Sequence, residues 1–130
     1  MIILAIKTDQ PESEFWLLKD HKTLGHIKYL AHQNLARTIH LQISKLLKNQ
    51  NLDWPDIEGL VAYKGPGSFT GLRIGLTVAN SLAYSLKIPI IGEKGDDWLE
   101  SGVTKLQANK NDKIVIPFYG AEPHITQAKK

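Results

Sequence analysis

Twelve residues in the middle of the chain, Lys64-Gly65-Pro66-Gly67-Ser68-Phe69-Thr70-Gly71-Leu72-Arg73-Ile74-Gly75, restrict the fold more than any other stretch. They join a strand-like apolar run, Gly59 to Tyr63, to a helix-like one, Leu72 to Leu86. Three glycines and a proline fall between positions 65 and 71. Glycine permits positive φ and close backbone approach, and proline pre-sets a turn. Ser68 or Thr70 can cap the following helix by accepting a bond from an N–H that has no partner in the first turn. A strand, a tight glycine loop and a helix start also make a place where an anion can sit. The loop is not a Walker A, because no Gly-Lys-Ser/Thr closes it, and it lacks the dinucleotide-binding spacing. Ser68 stands outside any Gly-x-Ser-x-Gly frame. On these residues alone, a tight turn and a ligand loop both stay open.

The rest of the chain supplies the elements around this loop. Residues 2–8 read as a buried strand. Ser13–Lys19 and Lys22–Tyr29, parted by Asp20-His21, read as a hairpin. Asn34–Asn49 reads as a helix whose Leu35, Ile39, Ile43, Leu46 and Leu47 recur at spacings of three and four. Gly59–Tyr63 and Ile88–Gly92 read as buried strands, with the motif helix, Thr70–Leu86, between them. Asp96–Glu100 suggests one helical turn, Gly102–Asp112 a polar loop, and Ile114–Phe118 a short strand. The last ten residues are expected to be mobile. The order β-β-β-α-β-α-β places a hairpin first and crossovers later. Strands on either side of a crossover helix run parallel, so a mixed sheet with packed helices follows.

Composition narrows the class. The 130 residues suit one domain, and an apolar fraction of 42% supports a real core. No run of about 20 apolar residues exists, so no transmembrane helix is expected. The start goes directly into Ile2-Ile3-Leu4-Ala5-Ile6, which reads as a first strand and not as a signal peptide. Cysteine is absent, which excludes disulfides, thiolate zinc sites and cysteine nucleophiles and fits a cytoplasmic protein. Net charge is +3, and Lys105, Lys110, Lys113, Lys129 and Lys130 make the C-terminal part basic. Such a patch reads as a solubilising surface before it reads as an RNA contact, because no aromatic residues alternate with the lysines.

The eleven-residue string Gly-Pro-Gly-Ser-Phe-Thr-Gly-Leu-Arg-Ile-Gly, Gly65 to Gly75, resembles the hallmark of the TsaB family, also called YeaZ. Ile2–Ile6 resembles the family's first strand, and Ile88–Gly92 the strand after its motif helix. Pro117-Phe118-Tyr119 to Pro123 weakly resembles its C-terminal segment. The resemblance implies an α/β, ribonuclease-H-like single lobe of the actin, hexokinase and Hsp70 ATPase superfamily. One domain, 1–118, followed by a mobile tail, 119–130, is expected. The implied role is a non-catalytic subunit for threonylcarbamoyl transfer to the adenosine beside the anticodon of tRNA. A TsaD-like catalytic subunit is the implied partner, a TsaE-like ATPase a further one, and tRNA would be met only indirectly. The alternative is a homodimeric interaction protein of the same fold.

The motif helix carries a stripe of small residues, Gly71, Gly75, Ala79 and Ala83, spaced every four positions. The stripe either packs on this chain's own sheet or lets a partner's backbone come close. Family members pair through their first two helices, so the expected partner-binding residues are Leu41, Lys45, Gly71, Arg73, Gly75, Ala79 and Ala83. Leu41 and Lys45 lie off the apolar face of the first helix. Arg73 is placed for a salt bridge or phosphate contact, or else for a structural bond to the loop. The motif loop, Gly65, Pro66, Gly67, Ser68, Phe69 and Thr70, is expected near a nucleotide at the joint surface. No cofactor of the chain's own is expected.

Catalytic residues are not expected. The position resembling the family's first-strand aspartate is Lys7, which cannot ligate magnesium. Asp9, two residues on, either restores the charge or sits in a turn beside Gln10-Pro11. The five histidines show no His-x-x-x-His pair, and no two carboxylates form a clear pair. Asp96-Asp97 reads as a helix cap or a cation site. Ser68 has no evident base. A residual ATPase or hydrolase is the remaining enzymatic reading. Leu35-Ala36-Arg37 stands where the family often carries His-Ser-Glu. Typical members are far longer, so the chain reads as a half-size form without most of a second subdomain.

Overall fold

The computed structural model describes residues 1–119. Five strands form one sheet in the order β3-β2-β1-β4-β5. They are β1 (Ile2–Lys7), β2 (Glu12–Lys19), β3 (Lys22–Leu30), β4 (Gly59–Tyr63) and β5 (Ile90–Glu93). Pairing is antiparallel from β1 through β3 and parallel from β1 through β5. The hairpin turns at Asp20-His21, where Asp20 takes φ 54°. The described part therefore has the mixed sheet expected from the order of elements.

Helices cover both faces of the sheet. On one lie α1 (Leu35–Lys48) and α2 (Phe69–Leu86). They bury Leu4, Ile6, Phe15, Leu17, Leu60 and Ala62 against Ile39, Ile43, Leu47, Leu76 and Ala79. On the other lies α3 (Trp98–Gln107), packed on Ile3, Ala5, Leu18, Val61 and Ile91. Successive side chains of a strand point to opposite faces. A strand covered on both faces is apolar throughout, as Ile3 to Ile6 are.

Two expectations fail. The first is the loop at 102–112, since α3 runs to Gln107. Trp98, Gly102, Val103 and Leu106 are its buried residues and form a helical stripe. Gly102 belongs inside the helix because a Cβ there would strike Val61. The second is the strand at Ile114–Phe118, which forms no ladder. The side chain of Asn80 accepts from Val115 N–H (2.9 Å) and donates to Val115 C=O (3.0 Å), replacing a neighbouring strand. Just before it, Asn111 and Asp112 accept from Ile90 and Gly92 N–H and so cover the outer edge of β5. Tyr119, assigned to the tail, stacks on Phe69 with ring centroids 4.9 Å apart. Residues 120–130, the rest of that expected tail, lie outside the described residues.

Candidate functional site

The motif loop is fastened to the end of β1. Ser68 N–H donates to Asp9 C=O (2.9 Å), and Thr8 Oγ1 donates to Gly71 C=O (2.8 Å). Tyr63 Oη donates to Pro66 C=O (3.2 Å), and Phe118 N–H to Lys64 C=O (2.7 Å). Gly65 has φ 125°, a conformation that residues with a Cβ rarely adopt. A Cβ on Gly67 would run into Asp9, and one on Gly71 into the Thr8 carbonyl. The glycines thus let the loop lie against β1. Pro66, Gly67, Ser68, Phe69 and Thr70 remain exposed. Ser68 occupies the N-cap position of α2, but neither its hydroxyl nor that of Thr70 caps the helix, contrary to the sequence expectation.

At the strand end an ion pair stands where the resemblance implied a missing carboxylate. Lys7 Nζ reaches Asp9 Oδ1 at 2.7 Å, and Gln10 Nε2 lies 3.4 Å from Asp9 Oδ2. Asp9 is only 6% exposed. The lysine also sits 4.6 Å from the centre of the Tyr63 ring. Burial raises the Tyr63 hydroxyl above its ordinary value, and the Asp9 charge adds to the shift. Asp9 therefore serves the turn and its own lysine. Among the described residues no three histidine or carboxylate side chains gather to hold a metal ion. Glu93 is the other buried carboxylate. It accepts from Ser101 (3.2 Å) and pairs with Lys105 (2.7 Å), tying α3 to β5. Asp97 stands at the N-cap of α3, although its side chain makes no cap bond.

The small-residue stripe turns inward, which corrects its assignment as a partner surface. Gly75, Ala79 and Ala83 are buried on the sheet side of α2. A Cβ on Gly75 would collide with the Thr8 side chain, and Gly71 meets the Thr8 carbonyl. The approach that these residues permit is between α2 and the chain's own β1. The outward side carries larger groups. Phe69 is 55% exposed and Tyr84 is 88% exposed. The Arg73 guanidinium lies 5.0 Å from the centre of the Phe69 ring, in cation–π geometry, and makes neither of its expected bonds among the described residues. On α1, Leu41 and Lys45 are both exposed and one turn apart. Between the helices runs a groove of about 400 Å³, walled by Ala36, Phe69, Arg73, Ile74, Thr77 and Val78.

The sequence left three contributors unnamed. Thr8 locks the loop, Tyr63 shields Lys7, and Asn80 pins Val115. Only Asn80 carried a visible signal, as one of the few polar side chains on a largely apolar helix.

The family model described as TsaD, tRNA N6-adenosine threonylcarbamoyltransferase, matches residues 21–98. The tRNA threonylcarbamoyladenosine biosynthesis protein TsaB of Bacillus subtilis is 38% identical over 124 residues, which is 93% of this chain and 51% of that protein. The TsaB protein of Escherichia coli is 30% identical over 114 residues, covering 83% of this chain and 49% of its own. The chain thus spans about half the length of the curated relatives it matches. The solved structure of YeaZ from Pseudomonas aeruginosa superposes with a TM-score of 0.66 and 24% identity, over 72% of this chain and 43% of that one. It shares the ribonuclease-H-like lobe, in which this chain's motif loop joins β4 to α2. Identity at this level along nearly the whole sequence, on the same fold, means that the chain belongs to the TsaB/YeaZ family.

Proposed function

We propose that the chain is a non-catalytic scaffold subunit for threonylcarbamoyl transfer to the adenosine beside the tRNA anticodon. It binds a TsaD-like catalytic subunit through the outward faces of α1 and α2. One observation carries the reading: large side chains stay exposed along these helices, Leu41 at 55%, Phe69 at 55% and Tyr84 at 88%, and Phe69 walls an open groove between them. Covering such groups with a partner removes apolar surface from water at about 25 cal/mol per Å², and Leu41 and Phe69 have about half of their burial still to gain. Leu41, Lys45 and Arg73, all exposed, are the proposed contact residues on this surface. Gly71, Gly75, Ala79 and Ala83 act behind it, setting how close α2 lies to the sheet.

The Lys7–Asp9 pair supports the assignment of chemistry to the partner. The acidic group at the end of β1 is neutralised within the chain by Lys7, which leaves no net negative charge there to hold a cation. A nucleotide at the joint surface would lie by the exposed loop Gly65–Thr70. A TsaE-like ATPase and tRNA are further members of the proposed assembly, with tRNA held by the partner. No helix among the described residues is long and apolar enough to cross a membrane.

Co-purification with the TsaD-like protein of the same genome, followed by a tRNA modification assay with and without this chain, tests the reading. A stable complex with chain-dependent modification is expected. A stable self-dimer and no complex would overturn it in favour of the homodimeric interaction protein, whose uncovered surface would be the same two helices.

A further inference from the structure

We propose that the cleft between the β1–β2 turn, the start of α1 and the N-terminus of α2 binds a phosphate group. Two independent observations meet there. The first is an unfinished helix start. α2 is 18 residues long, yet Ser68 makes no side-chain cap bond and the first turn holds no acidic residue. Its opening N–H groups, at Phe69, Thr70 and Gly71, cannot be satisfied within the helix. No hydrogen bond from them is made among the described residues. They leave partial positive charge at the mouth of the cleft.

The second observation is Ser13. It lies on the same face of β2 as Phe15 and Leu17, the face covered by α1 and α2. It is 1% exposed, and its Oγ has no hydrogen-bond partner. Buried hydroxyls are normally paired, and an unpaired one calls for a missing acceptor, ion or water. Ser13 and the opening residues of α2, Ser68, Thr70 and Gly71, wall the same cleft of about 340 Å³. Gln10 adds a side-chain amide to its rim. No carboxylate lines it, and the nearby Asp9 carboxylate is held by Lys7 and Gln10. The wall thus offers side-chain donors at Gln10, Ser13, Gln33, Ser68 and Thr70 beside apolar side chains such as Leu35 and Ile74, and it presents no negative side chain to repel an oxyanion. A tetrahedral phosphate offers acceptors to the N–H groups of α2 on one side and to the Ser13 hydroxyl on another.

The test uses the full chain alone, so its outcome is independent of any partner. Thermal melts and calorimetric titration are run with inorganic phosphate against chloride at matched ionic strength. Saturable binding that raises Tm is expected. Ser68→Asp supplies its own carboxylate to the helix start, so it should raise Tm without phosphate and abolish the phosphate response. Ser13→Ala should fold as before and bind phosphate about tenfold more weakly. Adenosine monophosphate is the competitor. Displacement would support the site with a phosphomonoester as its source, and no displacement would support it with free phosphate. No saturable response at millimolar phosphate, or an equal response in wild type and Ser68→Asp, would overturn the proposal. So would unchanged affinity in Ser13→Ala, which would leave the hydroxyl to a buried water.

Discussion

The inward and outward sides of α2 are built on opposite rules. Inward, every fourth residue from Gly71 to Ala83 is small, and the helix backbone sits against Thr8 and the sheet. Outward, Phe69, Arg73, Thr77, Ser81 and Tyr84 face solvent. A small side chain buries little apolar area itself, and its value lies in letting two backbones pack without a gap. A large exposed side chain has most of its burial still to gain. Within this helix the small residues mark where contact already exists, and the large uncovered ones mark where a further contact can form.

The strongest way to break this contrast is Gly75→Leu. Even a Cβ at this position collides with Thr8, and a leucine must displace α2 from β1. The expected cost exceeds about 3 kcal/mol, at the upper end of overpacking. Circular dichroism and urea melts check it. A variant with wild-type stability would mean that the stripe is not core, and the contrast would fail.

Asn80→Ala comes next. Both polar atoms of this side chain bond the Val115 backbone. Losing two bonds and leaving a partly buried N–H and C=O unpaired should cost about 2 kcal/mol. Limited proteolysis should then cut near 111–118 faster than in wild type. Unchanged cleavage would show that Val115 holds the segment by packing alone.

These positions also show what the sequence could reveal. Strand β4 and the Asp20-His21 turn were legible because apolar runs bounded by turn residues need little tertiary information. α2 was legible to within one residue for the same reason. α3 was not, since an internal glycine and a polar surface hid the buried series Trp98, Gly102, Val103 and Leu106. Ile114–Phe118 has the alternation of a strand, with Val115 inward and Ile114 and Ile116 outward, yet a side chain from a distant helix replaces the ladder. Helical spacing showed that Gly71, Gly75, Ala79 and Ala83 share a face, but it carries no information on which neighbour covers that face. The Lys7–Asp9 pair was within reach, because the two residues are adjacent on one side of the strand end. The bare Ser13 hydroxyl depends on three separate elements and was out of reach.

The outward side is tested by Leu41→Glu combined with Arg73→Glu. Both residues are exposed, so stability should change by no more than about 0.5 kcal/mol. Affinity for the proposed TsaD-like partner should fall at least about tenfold, or about 1.4 kcal/mol. Pull-down and calorimetry against the partner check this. Retained affinity with an intact fold would move the interface away from these helices and leave the uncovered groups without a role.

The smallest effect is expected at the far end of the sheet, where charge acts without packing. Asp20 Oδ1 accepts from the amino-terminal ammonium (3.2 Å) and from Gln107 (3.4 Å). The bond to the ammonium, then the one to Gln107, holds the Asp20 carboxyl below its usual range. A carboxyl whose pKa is lower folded than unfolded stabilises the fold above the unfolded value, about 3.9, and loses that contribution as pH falls through the folded value. Asn tolerates the left-handed backbone that Asp20 adopts at φ 54°, so Asp20→Asn removes the charge and keeps the turn. The variant should melt slightly below wild type at neutral pH, and the gap should shrink with added salt and close in acid. A gap that persists in acid would show that the turn itself, and not the charge, had been damaged. A gap as large as that of Asn80→Ala would mean that surface charge rivals the packing around α2 in holding this lobe together.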